Sequence, residues 1–247
     1  MWNNKSISVV LPTYRESQSI RGVIEDFKRL RIIDEIIVIN NNAEIGTSDA
    51  ISGSGAVEVF EKEQGYGAAI KTGLRYCHSD LIVICEPDGT FQASDLLKLL
   101  PFMDRAALVL GSRTVGHYIW SEANMGHFLK WGNWFVAKLI EVLFGTGYLS
   151  DVGCTFRVTT KEVVQYFDFS KFHSDGTFGM EFQLVAAMAK LPITQVPVNY
   201  YPRVGVSGYT GNLKGAFTLG IRMIGIIIEY RLVKKRKLRQ VTNAARI

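Results

Sequence analysis

Leu81-Ile82-Val83-Ile84-Cys85-Glu86-Pro87-Asp88 is the stretch whose reading decides the fold. Its unbroken apolar run predicts a strand over Leu81–Cys85 buried on both faces, as in the parallel sheets of α/β proteins. The strand stops at two carboxylates, and solubility alone is a poor reason for so apolar a strand to end that way. Oxygen ligands two residues apart suit a hard divalent cation that keeps some of its water and meets substrate phosphates. An acidic turn closed by Gly89 is the plainer reading of the pair taken alone.

Outward from this strand, short apolar runs alternate with amphipathic ones. Ile7–Leu11, Glu35–Asn40, Val57–Glu61 and Ala107–Gly111 read as strands. Ser17–Leu30, Gly67–Tyr76 and Ser94–Met103 read as helices, the last with Ser94 as N-cap. This alternation predicts an α/β fold with a mostly parallel central sheet and helices on both faces. Ligands of such sheets bind at the carboxyl ends of the strands, so the loops after Leu11, Asn40, Cys85 and Gly111 matter most. Further on, Asn124–Phe144, Phe178–Lys190 and Asn212–Lys237 predict helices, and Val152–Val158 and Thr194–Tyr201 strands. No linker divides the chain, which reads as one domain over residues 1–211 and a C-terminal appendage over residues 212–247.

With 247 residues and 47% hydrophobic composition, the chain can bury a sizeable core. Its three cysteines are odd in number and widely spaced, which excludes a disulfide framework and a CxxC zinc site and fits a reducing cytosol. The net charge of +5 is misleading: residues 231–247 hold seven basic residues and no acid, leaving the preceding 230 residues at −2. A basic tail binds polyanions without specifying lipid or nucleic acid. No signal peptide is expected. The most apolar segment, Gly215–Ile228, is interrupted by Arg222, which argues against a spanning helix and leaves an interfacial one open.

Polar residues cluster at the watched strand ends. Pro12-Thr13-Tyr14-Arg15-Glu16 follows the first strand and Asn40-Asn41-Asn42 the second, either as turn chemistry or as readers of a nucleotide. Gln64-Gly65-Tyr66-Gly67-Ala68-Ala69-Ile70-Lys71 opens a helix whose N-terminus favours an anion such as a diphosphate, with Gly67 and Lys71 as candidate contacts. Its spacing is neither the dinucleotide fingerprint nor a P-loop. Gly111-Ser112-Arg113 places an Arg on the same rim, where it could clamp a phosphate bidentately.

Taken in order, Val9–Glu16, Ile36–Asn42, Gly65–Ile70, Glu86-Pro87-Asp88, Gly111–Arg113, Asp151-Val152-Gly153-Cys154-Thr155-Phe156-Arg157 and Val196–Ser207 resemble the family 2 glycosyltransferases of the GT-A fold. The last two segments are most similar to its polyprenyl-phosphate mannose and glucose synthases. The resemblance implies that Pro12, Tyr14, Glu16 and Asn41 line a nucleotide pocket. It also implies that Glu86 and Asp88 hold Mg²⁺ or Mn²⁺, and that Arg113, Lys130, Arg203 and Ser207 bind diphosphate or acceptor phosphate. Four positions depart from the usual pattern: Glu86 replaces an Asp, Thr90 a Gln, Asn41 an acid and Gly208 a Lys.

The expected activity is inverting transfer of a hexose from a UDP- or GDP-sugar to a polyprenyl phosphate. A phosphate acceptor is already anionic and needs no strong base. A saccharide or glycolipid hydroxyl would need one, and Asp151 and Glu181 are the candidates. A catalytically degenerate nucleotide- and membrane-binding module is the non-enzymatic alternative. The apolar segment before Lys234–Arg239 predicts peripheral attachment to an anionic membrane at its cytoplasmic face, or contact between copies of the chain. Nucleic acid is not an expected partner.

Overall fold

The computed structural model describes residues 1–247 other than 121–122, 124–125, 206–212, 234–235, 237–240 and 243–247. Seven strands form one sheet: β1 (Ile7–Thr13), β2 (Glu35–Asn40), β3 (Val57–Phe60), β4 (Leu81–Ile84), β5 (Leu108–Ser112), β6 (Arg157–Thr160) and β7 (Ile193–Pro197). Eight α-helices accompany them: α1 (Ile20–Arg29), α2 (Thr47–Ile51), α3 (Tyr66–Tyr76), α4 (Leu96–Leu99), α5 (His127–Phe144), α6 (Lys161–Tyr166), α7 (Phe178–Met188) and α8 (Leu213–Leu232). The strand order is β3-β2-β1-β4-β6-β5-β7. Every neighbouring pair is parallel except those of β6, which runs antiparallel to β4 and β5. The architecture is the α/β fold that the alternation of elements predicts, and the GT-A-like one that the family resemblance implies.

Successive strand residues point to opposite faces, and both faces are covered. Val10, Ile37, Ile39, Ile82 and Ile84 pack with Ile70 and Leu74 of α3, Phe182 of α7 and Ile227 of α8. Ile7, Val9, Leu11, Val38 and Val83 pack on the other side with Ile24 and Phe27 of α1 and Leu96 of α4. Helix α3 lies so close to the sheet that a Cβ on Gly73 would come within 2.3 Å of Val10 Cγ1.

Several boundaries differ from expectation. The helix expected over Ser94–Met103 is a 3₁₀ turn, the short α4 and a second 3₁₀ turn over Leu100–Asp104. Pro101 donates no hydrogen bond there, and the Ser94 side chain caps nothing. Asp95 is instead tied to Asn199, accepting from its backbone N–H at 2.6 Å. Residues 152–156 are not strand but irregular backbone, with the Arg157 side chain donating to the Cys154 carbonyl at 2.5 Å, and β6 begins only at Arg157. Strand β7 leaves the sheet at Pro197, earlier than Tyr201. The short α2 and α6 are additional.

Helix α8 is fastened to the body by its inner face. Met223, Ile226, Ile227 and Tyr230 are buried. The Tyr230 hydroxyl donates to Glu181 Oε1, a fully buried carboxylate on α7. The other oxygen of Glu181 accepts from the backbone N–H of His173 at 2.7 Å and pairs with its Nδ1 at 2.8 Å. That hydrogen bond raises the His173 pKa. Arg222 of α8 reaches Asp175 at 2.5 Å. Two contacts therefore tie α8, directly or through Glu181, to the 173–175 loop.

Arg113, just past β5, and Asp151, before β6, form a buried bidentate pair. Arg113 Nε donates to Oδ2 at 2.9 Å and Nη2 to Oδ1 at 3.0 Å. The backbone N–H groups of Arg113 and Gly153 complete the carboxylate's four bonds, each at 2.9 Å. Burial pushes the Asp151 pKa up, but the Arg113 charge and these hydrogen bonds outweigh it and hold it below the ordinary value.

Two stability outcomes follow from this packing. Gly73→Ala forces Val10 and α3 apart and lowers unfolding stability by about 1–3 kcal/mol in urea titrations. Asp151→Asn leaves a buried guanidinium without its counter-charge and costs about 3–5 kcal/mol at neutral pH. Because the folded pKa of Asp151 lies below its unfolded one, the wild type's advantage is complete above that unfolded value of about 4. It shrinks as pH falls through the folded value. Denaturant titrations of both proteins across that range measure it.

Candidate active site

Parallel pairing brings the ends of β1, β2 and β4 to one edge. Thr13 is in register with Asn40, and Val10 with Ile84. Glu16, Asn41, Glu86 and Asp88 therefore come together from three separate loops.

Glu16 and Asp88 each divide their two oxygens between structure and site. Glu16 Oε2 accepts from the backbone N–H groups of Tyr14 at 2.7 Å and Arg15 at 2.8 Å. Its Oε1 faces the Arg203 guanidinium at 3.0 Å. Asp88 Oδ1 accepts from the Thr90 N–H at 2.9 Å and hydroxyl at 2.6 Å, while Oδ2 faces Arg203 at 3.2 Å. Glu86 Oε2 lies 3.6 Å from the same guanidinium. Burial and the neighbouring Asp88 charge push the Glu86 pKa up to about 8, against the pull of Arg203. Arg203 is placed by its backbone, since Tyr201 N–H donates to the Thr90 carbonyl and Val204 N–H to that of Asp88, each at 2.9 Å.

A divalent cation fits this place by the chemistry of its donors. The oxygens are hard, two of the acids are fixed by their other oxygen, and a protein cation already sits among them. Among the described residues no three acidic, His or Cys side chains converge closely enough to hold an ion alone. Substrate phosphates and water would supply the remaining ligands, as Mg²⁺ sites commonly require.

A cavity of about 610 Å³ opens beside these acids. One part is polar and holds Pro12, Thr13, Tyr14, Glu16, Asn41, Gln64, Glu86, Arg113 and Arg203. The other is apolar and lies between α5 and α8, with Phe128, Trp131, Phe135, Phe217 and Ile221 on its walls. Those five side chains are exposed, Trp131 at 63%. The sequence points to a lipid contact in the C-terminal segment alone and does not reveal that α5 and α8 share one cavity with the polar site. The signal is present in both: more apolar residues than one buried stripe needs.

Other expected site residues are placed differently. Asn41 lines the cavity, but its amide donates to the carbonyls of Glu61 and Glu63 and its oxygen accepts from Gly65 N–H, so it shapes the loop before α3. Gly65 and Gly67 pack against the protein's own 173–174 backbone, where a Cβ would approach carbonyl oxygens within 2.2 and 2.5 Å. Ala68 N–H donates to the Ser174 carbonyl at 3.0 Å, so one free donor at the start of α3 meets protein instead of phosphate. Lys71 bonds the Phe172 carbonyl and the Ser174 hydroxyl on that loop.

The fork of Arg113 holds Asp151, and its guanidinium lies over the Tyr200 ring at 5.2 Å. Asp151 and Glu181, the candidate bases, both have their oxygens engaged, and neither lines the cavity. Lys130 is half-buried on α5, its ammonium beside Gly116 and off the cavity wall. Ser207 lies outside the described residues, as do Lys234, Lys235, Lys237, Arg239 and Arg246 of the basic tail.

Comparison with known proteins agrees with this geometry. Residues 8–167 match the family described as Glycosyl transferase family 2. The glycosyltransferase AglJ of Haloferax volcanii is 27% identical over 202 residues, which are 80% of this chain and 64% of that protein. The chain thus spans less than two thirds of AglJ. An undecaprenyl-phosphate mannosyltransferase of Micrococcus luteus is 23% identical over 245 residues, covering 93% of this chain and 98% of that one. Glucosyl-3-phosphoglycerate synthase of Mycobacterium tuberculosis, solved with Mn²⁺, UDP-glucose and phosphoglyceric acid, superposes with a TM-score of 0.72 at 18% identity, over 92% of this chain and 80% of that one. The strand-end acids, the sheet and a match over most of the domain agree: this chain belongs to glycosyl transferase family 2.

Proposed function

We propose that the chain is a metal-dependent, inverting hexosyltransferase that moves a sugar from a nucleoside diphosphate sugar to a polyprenyl phosphate at a membrane surface. The observation that carries this reading is the two-part cavity: a polar end at the strand edge continuous with an apolar end between α5 and α8. A donor with a charged diphosphate suits the first part, and an acceptor with a charged head and a hydrocarbon tail suits both. The relatives support the same chemistry, one of them an undecaprenyl-phosphate mannosyltransferase.

In this mechanism Pro12, Thr13, Tyr14 and Gln64 border the nucleoside end. Glu86 and Asp88 hold the cation, which when bound neutralises charge on the departing diphosphate. Arg203 adds a second positive charge where that charge develops. The acceptor phosphate attacks the anomeric carbon from the face opposite the nucleotide, so configuration inverts. Because that oxygen is already anionic, a base is unnecessary, and this agrees with Asp151 and Glu181 both being committed to structure. Catalysis is then positioning and electrostatics.

Membrane association belongs to the same proposal. No helix among the described residues is long and apolar enough to cross a membrane. Helices α5 and α8 nevertheless present Trp131, Phe135, Phe217, Ile221, Ile228 and Leu232 to the exterior. Such a face lies in the headgroup region, with the basic residues after α8 near anionic lipid on the cytoplasmic side.

The test is transfer with UDP- and GDP-hexoses, Mg²⁺ or Mn²⁺, and undecaprenyl phosphate in vesicles. Expected is lipid-phosphate-dependent transfer from one donor, abolished by chelation and lowered at least about 10²–10³-fold in Asp88→Ala. Trp131→Ser combined with Phe135→Ser raises the KM for lipid acceptor and leaves nucleotide affinity unchanged. Transfer to a saccharide hydroxyl without lipid phosphate, or nucleotide binding with no turnover, overturns the reading.

A further inference from the structure

Three carboxylates meet a single guanidinium at the strand edge, and the way they meet it is informative. Arg203 lies 3.0 Å from Glu16, 3.2 Å from Asp88 and 3.6 Å from Glu86. Glu16 and Asp88 each spend one oxygen on neutral donors of their own loops and turn the other to Arg203. Asp88 Oδ2 and Glu86 Oε2 both face Nη1, and these are the oxygens a divalent cation would take. Asp88 is 1% exposed, so without a nearby cation its charge would be buried and unpaired. Two hydrogen bonds hold the Arg203 backbone to the 88–90 turn. Its side chain is 20% exposed and has the torsional freedom to move its charge without moving that backbone.

We propose that Arg203 is an exchangeable counter-cation, a positioning residue that neutralises Glu16, Glu86 and Asp88 until metal and donor arrive together. With a divalent cation on Glu86 and Asp88, the Arg203 guanidinium would be released from them and free to pair with the diphosphate. This rests on the metal-dependent reading above and adds an order to it. Before the nucleotide arrives, Arg203 competes with the metal; afterwards it cooperates. A residue that only contacted phosphate would affect the second state and not the first.

The experiment is Mn²⁺ binding followed by electron paramagnetic resonance, with and without UDP or GDP, in wild type, Arg203→Gln and Arg203→Lys. In Arg203→Gln, nucleotide-free Mn²⁺ binding tightens at least about tenfold, while nucleoside diphosphate binding in the presence of Mn²⁺ weakens by about tenfold. Arg203→Lys keeps a cation and moves both values in the same directions by less. Thermal unfolding of each variant identifies any that fails to fold, and the lysine variant then carries the test. Unchanged or weaker nucleotide-free Mn²⁺ binding in folded variants overturns the exchange and leaves the metal-dependent reading intact. A wild type that binds no Mn²⁺ with either nucleoside diphosphate overturns that reading and the exchange with it.

Discussion

Like charges gathered at one sheet edge are the constraint on which this molecule turns. Parallel pairing of β1 with β2 and β4 forces their loops to share a rim, and three of the residues brought there are acids. Water cannot screen them well, since Asp88 is buried and Glu16 nearly so. The fold answers with backbone N–H groups on one side of the acids and a guanidinium on the other. An edge built this way is unfavourable when empty of positive charge, and Arg203 supplies that charge here.

A second ion pair keeps the far side of the site in shape. Asp151 is saturated by the Arg113 guanidinium and by backbone N–H groups. Their contribution is to hold the end of β5 against the segment before β6, so that Gly153 and Thr155 form cavity wall. The division is clear: Glu16 and Glu86 line the cavity and, with Asp88, turn an oxygen to Arg203, while Asp151 and Glu181 spend both oxygens within the protein.

Much of this was legible in the sequence, because strand identity depends on local runs. The apolar stretches before Pro12, at Glu35–Asn40 and before Glu86 produce strands within a residue or two of expectation. The acids at their ends followed from sheet topology. Less legible was whatever depended on partners distant in sequence. Nothing local reveals that Arg113 is paired with Asp151, or that Gly65 and Gly67 make room for the 173–174 backbone. Asn41 was legible as a strand-end residue, whereas its amide bonds to Glu61 and Glu63 were not. Residues 152–156 misled for the same reason: their β-like composition yields to irregular backbone whose Cys154 carbonyl accepts from Arg157.

The fastening of α8 bears on the order in which the molecule is made. Tyr230 follows Glu181 by 49 residues, so the acid leaves the ribosome well before the hydroxyl that completes its bonding. At about 5–20 residues per second that interval lasts seconds. Throughout it, the 173–175 loop lacks the anchor that α8 provides through Arg222 and through Glu181. The same loop packs on the start of α3 beside the cavity. Helix α8, which leaves Phe217, Ile221 and Ile228 exposed on its outer face, is thus also the last piece of the cavity's surroundings to be set, and the cavity takes its shape only once this segment has found its place on the domain.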